Sequence, residues 1–549
     1  MDGCRRDGME GLPDRLPLPV RAGFRSPRRP WNTSRPSIST VGALFVLLMA
    51  SGCTGLSQWV HNGFKLGPAY ARPAAPVAAG WIDQGDPRVK SVPAQDCAWW
   101  TVFSDPTLNR LIDTAYRQNL DLQTAGARIL EARARRNIAA GNLFPQSQTA
   151  VAGYAHAQIG QNLGLPLPNT LDIGATGFNA SWELDFWGRY RRLIEAADAN
   201  LEASTESYGE ALVMVLSEVA ANYVQLRTFE QRLQYASENL AIQKKSLELA
   251  EARFAQGVAA ELDARQARSN LAQTESTIPP LQAGRRLAAN RLCILLGMPV
   301  SDLASQIDAA PIPNAPPDVA VGIPADLLCR RPDIRRAERQ VAAQSAQIGI
   351  AEADLYPRLG VTGFIGYAAN DLSDLFASSN FTGFIIPSLR WNILNYGRIV
   401  NNVAAQDARL QAATFQYQQT VLTAGREVED ALVQFIQAQK QARHLEDGVT
   451  EGQKSVELVV EQFEGGITDF NRVYTTQSQL VTQQDQLAST RGNIVLYLIQ
   501  VYRAMGGGWE LFVEGRGMPD LDGQVKAVAE IPPSQGSVFL KSGRTRADY

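Results

Sequence analysis

The 549-residue chain has few of the residues from which reactive sites are built. Its only three histidines, His61, His156 and His444, stand far apart with no companion ligands at metal-binding spacing, so the sequence assembles neither a zinc site nor a histidine base with an orienting partner. Its five cysteines, Cys4, Cys53, Cys97, Cys293 and Cys329, are too scattered for a metal knuckle or a dense disulfide framework. No phosphate-loop or dinucleotide fingerprint occurs. Gly506, Gly507 and Gly508 follow a helical pattern and precede Trp509, which reads as a helix stop. Charge of one sign is missing as well. The 52 basic and 55 acidic side chains leave a net charge of −3, which supplies no positive field for nucleic acid. No nucleophile, base and orienting group come together, so the reading is a non-enzyme that needs no cofactor and no metal.

What is present begins at the N-terminus. Val41 to Ala50 is an apolar run that suits the core of an export signal and is shorter than the roughly 20 residues of a membrane-spanning helix. Arg21, Arg25, Arg28, Arg29 and Arg35 supply its positive flank. The flank is long for a signal, which points to a translation start downstream of Met1. Ala50, Ser51, Gly52 and Cys53 resemble a lipobox, with Ala50 where leucine is usual. Cys53 is therefore the expected lipid acceptor and 1–52 the leader; a conventional secretory signal followed by an incidental cysteine is the alternative. Thr54 follows the cysteine, and by resemblance to lipoprotein sorting the absence of aspartate there favours an outer membrane.

The chain is internally duplicated. Leu143, Phe144, Pro145, Gln146 recur as Leu355, Tyr356, Pro357, Arg358, and Phe186, Trp187, Gly188, Arg189 have a counterpart in Asn395, Tyr396, Gly397, Arg398. Arg253 to Gly257 match Gln462 to Gly466, and Gly297 matches Gly506. From Trp182 and Trp391 onward the offset holds at 209 residues. Two copies of one unit follow: 98–310 and 311–512, preceded by an extended segment 53–97 and followed by a loosely structured tail 513–549 with Pro532, Pro533, Ser534 and Gly536.

Each copy reads as helix, strand, strand, long helix, turn, long helix, with strand pairs at about 144–187 and 355–396. Phe178, Ala180, Trp182, Leu184 and Phe186 alternate with Asn179, Ser181, Glu183 and Asp185; Ile385, Pro387, Leu389, Trp391 and Ile393 alternate with Ser388, Arg390 and Asn392. A half-buried sandwich strand shows the same period of two. In an exported protein it also fits membrane barrel strands of about 9 to 11 residues. Four strands fall short of the roughly eight a barrel needs, so copies of the chain would have to share one.

From Arg191 to Gln256 there is no proline and a single glycine, Gly209, enough for one helix roughly 100 Å long at 1.5 Å per residue. Val219, Leu226, Leu233, Leu240, Leu247 and Phe254 recur every seven residues, and Val428, Phe435, Ala442, Val449, Val456 and Phe463 repeat the stripe in the second copy, as in a coiled coil. Gly257 in one copy and Gly465 with Gly466 in the other then permit tight reversals. Two helical hairpins are expected, with tips at 257 and 466. Pro279 and Pro280, where the second copy has Ala488 and Ser489, predict a break or kink in the first returning helix.

These residues resemble the TolC-like outer-membrane factors, especially the lipoprotein branch serving resistance-nodulation-division pumps. The matching stretches are Leu66, Gly67, Pro68, Ala69, Tyr70 with Arg72 and Pro73; Trp99 to Phe103 with Asp105, Pro106 and Leu108; and Arg330 to Ile334 with Arg336 and Glu338. The resemblance implies a mainly α protein with a membrane β-barrel: a homotrimer with four strands per subunit in a 12-stranded barrel on a coiled-coil periplasmic tunnel. It implies hairpin tips (Gly257, Gly465, Gly466) that dock a periplasmic adaptor, or membrane fusion protein, and through it an inner-membrane pump. It also implies outer-membrane lipid as surroundings, strand-to-helix turns at Gly188, Arg189 and Gly397, Arg398, and a passive path for drugs, dyes, solvents or metal ions. In that family acidic residues about two turns past the tip narrow the tunnel mouth. Asp263 matches in copy one, whereas copy two has Arg472 at that place and Asp469 nearby; a solvated helix surface accounts for all three equally well. An exit channel for secreted proteins shares the whole fold. A periplasmic adaptor would lack the strand pairs and the duplication.

Overall fold

The computed structural model describes residues 56–92, 98–158, 170–303 and 307–510. The leader, the lipidation candidate Cys53, Cys97 and the tail 513–549 lie outside the described residues. In chain order the elements are α1 (Leu56–His61), β1 (Val89–Lys90), α2 (Pro106–Gln118), α3 (Leu120–Gly141), β2 (Ser147–Gln158), β3 (Thr170–Leu184), α4 (Arg189–Ala255), α5 (Glu261–Leu295), β4 (Val319–Ala320), α6 (Leu327–Arg330), α7 (Pro332–Ala353), β5 (Arg358–Ala369), β6 (Phe381–Arg390), α8 (Arg398–Glu464) and α9 (Phe470–Ala504).

The duplication is visible residue by residue. Helices α4 and α8 are each 67 residues long, α5 and α9 each 35, and each pair starts at the 209-residue offset. The compact units are not the repeats, however. One unit gathers 140–194 and 345–407 with the N-terminal segment to Tyr70; the other gathers 71–139, 195–344 and 408 onward. Each repeat thus gives its strands to the first unit and its hairpin to the second.

In the first unit the strands form one antiparallel sheet in the order β2-β3-β5-β6. The hairpins of the two copies join where β3 pairs β5, Leu184 opposite Leu359 and Thr176 opposite Tyr367. The register places Ala150, Phe178, Ile365 and Gly383 in one cross-strand row, and Trp182, Val361 and Pro387 in another on the same face. The opposite face carries Thr149, Asn179 and Phe364 in one row and Ser181, Thr362 and Ile386 in another. One side is apolar and the other mixed, with Phe364 and Phe384 rings 5.8 Å apart interrupting its polar positions. Among the described residues, β2 and β6 have no second neighbour.

The strands end earlier than the alternation predicts. β3 stops at Leu184 and β6 at Arg390, leaving Phe186, Trp391 and Ile393 outside the sheet. The next residue, Asp185, explains the first stop: its carboxylate accepts from the N–H groups of Tyr190 (2.9 Å) and Arg191 (3.0 Å) and so caps α4 instead of continuing the ladder. Trp391 turns its indole N–H to the carbonyl of Leu355 at 2.9 Å.

The second unit is helical apart from the short parallel pair β1 and β4, and the stretches around Trp99, Asp105 and Arg331 prove to be its joints. Trp99 stacks on Tyr502 at 5.4 Å. Asp105 caps α2 through Thr107 and Leu108 and accepts from Tyr223 Oη at 2.7 Å. Arg331 donates to the Ala504 carbonyl (2.7 Å), capping α9, and pairs with Asp333 and Glu427, while Pro332 starts α7 with no lost hydrogen bond.

Two expectations are corrected. Helix α5 is not broken at Pro279 and Pro280 but runs from Glu261 to Leu295: each proline removes one hydrogen bond, but Thr274 and Leu281, buried on either side, keep the helix packed. The heptad stripe is buried throughout in α8, whereas in α4 only Val219 and Leu226 are buried and Phe254 is exposed. Below Leu226 the buried positions of α4 shift to Ala236, Asn239, Gln243, Ser246 and Ala250, a polar seam at the same three-four spacing.

Candidate functional site

No helix among the described residues is long and apolar enough to cross a membrane. Exposed apolar side chains instead gather on one face of the sheet, where Phe178, Ile365, Ile385 and Leu389 are all open to the surroundings.

In the helical unit, the hairpin reversals are built alike. Gly257 and Gly466 both take φ +73. Val258 N–H reaches the Arg253 carbonyl and Ile467 N–H the Gln462 carbonyl, with Gly257 and Gly466 bonding Phe254 and Phe463; this double bonding needs a left-handed residue after the helix. Gly465 is not in the left-handed region, so Gly466 alone makes the turn. The chain brings its two tips together. Arg253, at the end of α4, donates to the carbonyls of Phe463 and Glu464 and lays its guanidinium 5.0 Å over the Phe463 ring, placing a cation at the C-terminus of α8 where the helix dipole favours it. Beneath lie Ala250, Ala267, Val459, Phe463, Phe470 and Val473. Val258, Leu262 and Ile467 remain exposed beside the turns.

Asp263 and Asp469 have local tasks. Asp263 Oδ2 accepts from Ala260 N–H at 3.3 Å, and Asp469 caps α9 by accepting from Arg472 N–H at 3.2 Å. Arg472 is exposed and forms no ion pair among the described residues. The strand-to-helix turns use glycine for the same reason as the tips: Gly188 has φ +79 and Gly397 φ +80. Arg189 reaches Glu183 at 3.4 Å and Arg398 the Asn395 carbonyl at 3.2 Å.

The polar seam was not foreseen. Asn239 donates to Gln484 Oε1 at 2.6 Å; Gln477 donates to Ser246 Oγ at 2.9 Å and accepts from Asn270 at 3.0 Å. Between them Gln243 is 2% exposed with both amide atoms unpaired. On its other side α9 packs Leu480 and Leu487 against Val449 and Val456 of α8. The signal was available: Gln477 and Gln484 are seven apart, as are Asn239 and Ser246. Further up the helical unit, Glu206 and Glu210 of α4 face Arg335 and Arg336 of α7. Burial pushes both carboxyls above the usual range, and the arginines pull against it.

The sequence profile of the family described as outer membrane efflux protein matches residues 111–298 and 323–507, the two repeats. Nodulation protein T of Rhizobium leguminosarum bv. trifolii is 32% identical over 447 residues, 81% of this chain and 92% of that protein. The toluene efflux pump outer membrane protein TtgF of Pseudomonas putida is 30% identical over 470 residues, 82% of this chain and 95% of that protein. Among solved structures, the outer-membrane channel OprN superposes with a TM-score of 0.77 at 32% identity, covering 81% of this chain and 99% of its own. Of these three, TtgF is named as part of an efflux pump and OprN as an outer-membrane channel.

Proposed function

The chain belongs to the outer membrane efflux protein family, and from that premise we propose that it is the exit duct of a tripartite efflux system, working as a homotrimer anchored in the outer membrane by lipid on Cys53. The observation that carries this reading is the open four-stranded sheet, apolar on one face and mixed on the other, with β2 and β6 at its edges. Unpaired strand edges cannot face lipid, because their N–H and C=O groups find no water there. Four strands cannot close on themselves. Three copies joined β2 to β6 give a closed barrel of twelve strands, its apolar face toward lipid and its polar face toward a lumen.

The helical hairpins belong to the periplasm, and their paired tips, with exposed Val258, Leu262 and Ile467 around Gly257 and Gly466, are the docking face for a periplasmic adaptor coupled to an inner-membrane pump. Asp263, Asp469 and Arg472 near those tips are the candidates for the tunnel mouth. The duct needs no catalytic residue and no cofactor: energy comes from the pump, and this chain supplies a path. The toluene efflux function named for one relative supports small apolar toxicants as cargo.

Accumulation of a fluorescent pump substrate in cells lacking this gene, compared with the same cells after its restoration, tests the reading. Deletion should raise accumulation several-fold and restoration reverse it. Unchanged accumulation with the protein present in the outer membrane would contradict small-molecule efflux and favour protein export.

A further inference from the structure

The segment just ahead of the first repeat is built into the strand-to-helix junction. Leu66 is 1% exposed, and its N–H bonds the Trp187 carbonyl at 3.1 Å. Arg192, 4% exposed, donates to the carbonyls of Leu66 (2.7 Å) and Gly67 (2.9 Å). Its neighbour Arg191 donates to those of Gly63 (2.8 Å) and Phe64 (3.0 Å). Two guanidinium groups thus hold four carbonyls of this short segment. The fit is closed from both sides: a Cβ on Gly349 would stand 2.5 Å from the Leu66 oxygen, and one on Gly188 2.6 Å from Lys65 Cα.

Upon this dock sits a ring cluster. Trp59 lies 4.9 Å from Phe64, 5.4 Å from Phe186 and 5.7 Å from Trp187, and Trp187 lies 4.6 Å from Tyr356. Val60, Phe64 and Phe186 are nevertheless exposed. The cluster adjoins the end of the apolar sheet face, since Phe186 is two residues beyond the last residue of β3. Phe64 and Phe186, packed on one side against Trp59 and open on the other, stand at the rim of a lipid-facing surface, where aromatic rings belong in the headgroup layer.

We propose that residues 59–67 form a membrane-interface collar: clamped by Arg191 and Arg192, the N-terminal segment holds Val60 and Phe64 in the headgroup layer of the bilayer, with Trp59 packed beneath them and its indole nitrogen buried, independently of any lipid chain on Cys53. The inference rests on the barrel reading and adds a second, protein-made anchor to it. The continuity of the cluster with the apolar sheet face selects lipid as its occupant.

The test is depth measurement by nitroxide power saturation, comparing accessibility to oxygen and to a water-soluble nickel chelate. The full-length trimer is reconstituted in phosphatidylethanolamine–phosphatidylglycerol vesicles, labelled at Val60→Cys, at Ile385→Cys on the apolar sheet face, or at Ile242→Cys on exposed helix. The oxygen preference at position 60 should exceed that at 242 several-fold, stay below that at 385, and persist in the Cys53→Ser background. Gly349→Val, which displaces Leu66, should return position 60 to the value at 242 while leaving 385 unchanged. A value at 60 equal to that at 242 overturns the collar; so does interfacial depth that vanishes with Cys53→Ser, or that survives Gly349→Val. An aqueous value at 385 overturns the barrel reading itself, and the collar falls with it.

Discussion

Asp263 and Arg472 occupy the same place in the two copies, the third residue of α5 and of α9, and the helix dipole treats them oppositely. A carboxylate there gains roughly 0.3–1 kcal/mol and a cation loses a similar amount. Arg472 therefore does not serve its own helix, which supports a task at the tunnel mouth. In planar-bilayer recordings Arg472→Asp should shift the channel toward cation preference; an unchanged preference leaves the residue on a solvated face. The turning glycines were legible in sequence because only a left-handed residue closes those reversals. Arg253 was not, because its partners are carbonyls 210 and 211 residues away. Burial likewise hides from sequence the titration of Glu206 and Glu210. With the folded carboxyl held above its ordinary value, the folded state binds more protons than the unfolded one in the window just above that value, so this contribution to stability falls as pH rises through it. Glu206→Gln removes one such group, and thermal melts across mildly acidic pH should show a flatter dependence than the parent; an identical profile would contradict it.

At the scale of elements, helix lengths, the two hairpins and the order of strands were written in periodicity and in the 209-residue offset. Pro279 and Pro280 do not break α5, because local propensity is overruled by packing along a 35-residue helix. The α4 seam misled because asparagine, glutamine and serine on a helix read as surface, while the greasy stripe reads as core. The structure buries Asn239, Gln243 and Ser246, with Asn239 and Ser246 bonded to Gln484 and Gln477 of α9. Losing one partner of a buried hydrogen bond costs about 1–3 kcal/mol, whereas replacing both with apolar groups is close to neutral or stabilising. Asn239→Ala should accordingly lower thermal stability, and the pair Asn239→Leu with Gln484→Leu should restore or exceed it. Additive losses in the double variant would show that the seam bond is not what holds these helices.

For the whole molecule, the open four-stranded sheet is what the trimer proposal rests on. Sequence alternation disclosed the strands, and counting them showed that four are too few. It did not disclose that β3 and β5 join the two repeats, a pairing of residues as distant in the chain as Leu184 and Leu359 that no local pattern encodes. Nor did the repeats mark the compact units, since each copy divides itself between sheet and helices. In the proposed duct, cargo passes through the lumen lined by the mixed face of that sheet, where Thr362 is exposed, and not along the apolar face that carries Ile385. The direct measurement is substrate accumulation in cells bearing Thr362→Cys, treated with a bulky, membrane-impermeant maleimide, beside cells bearing Ile385→Cys treated alike. Blockage that raises accumulation several-fold at position 362 and leaves it unchanged at 385 is the predicted result. Full labelling at 362 with no rise in accumulation would contradict the account.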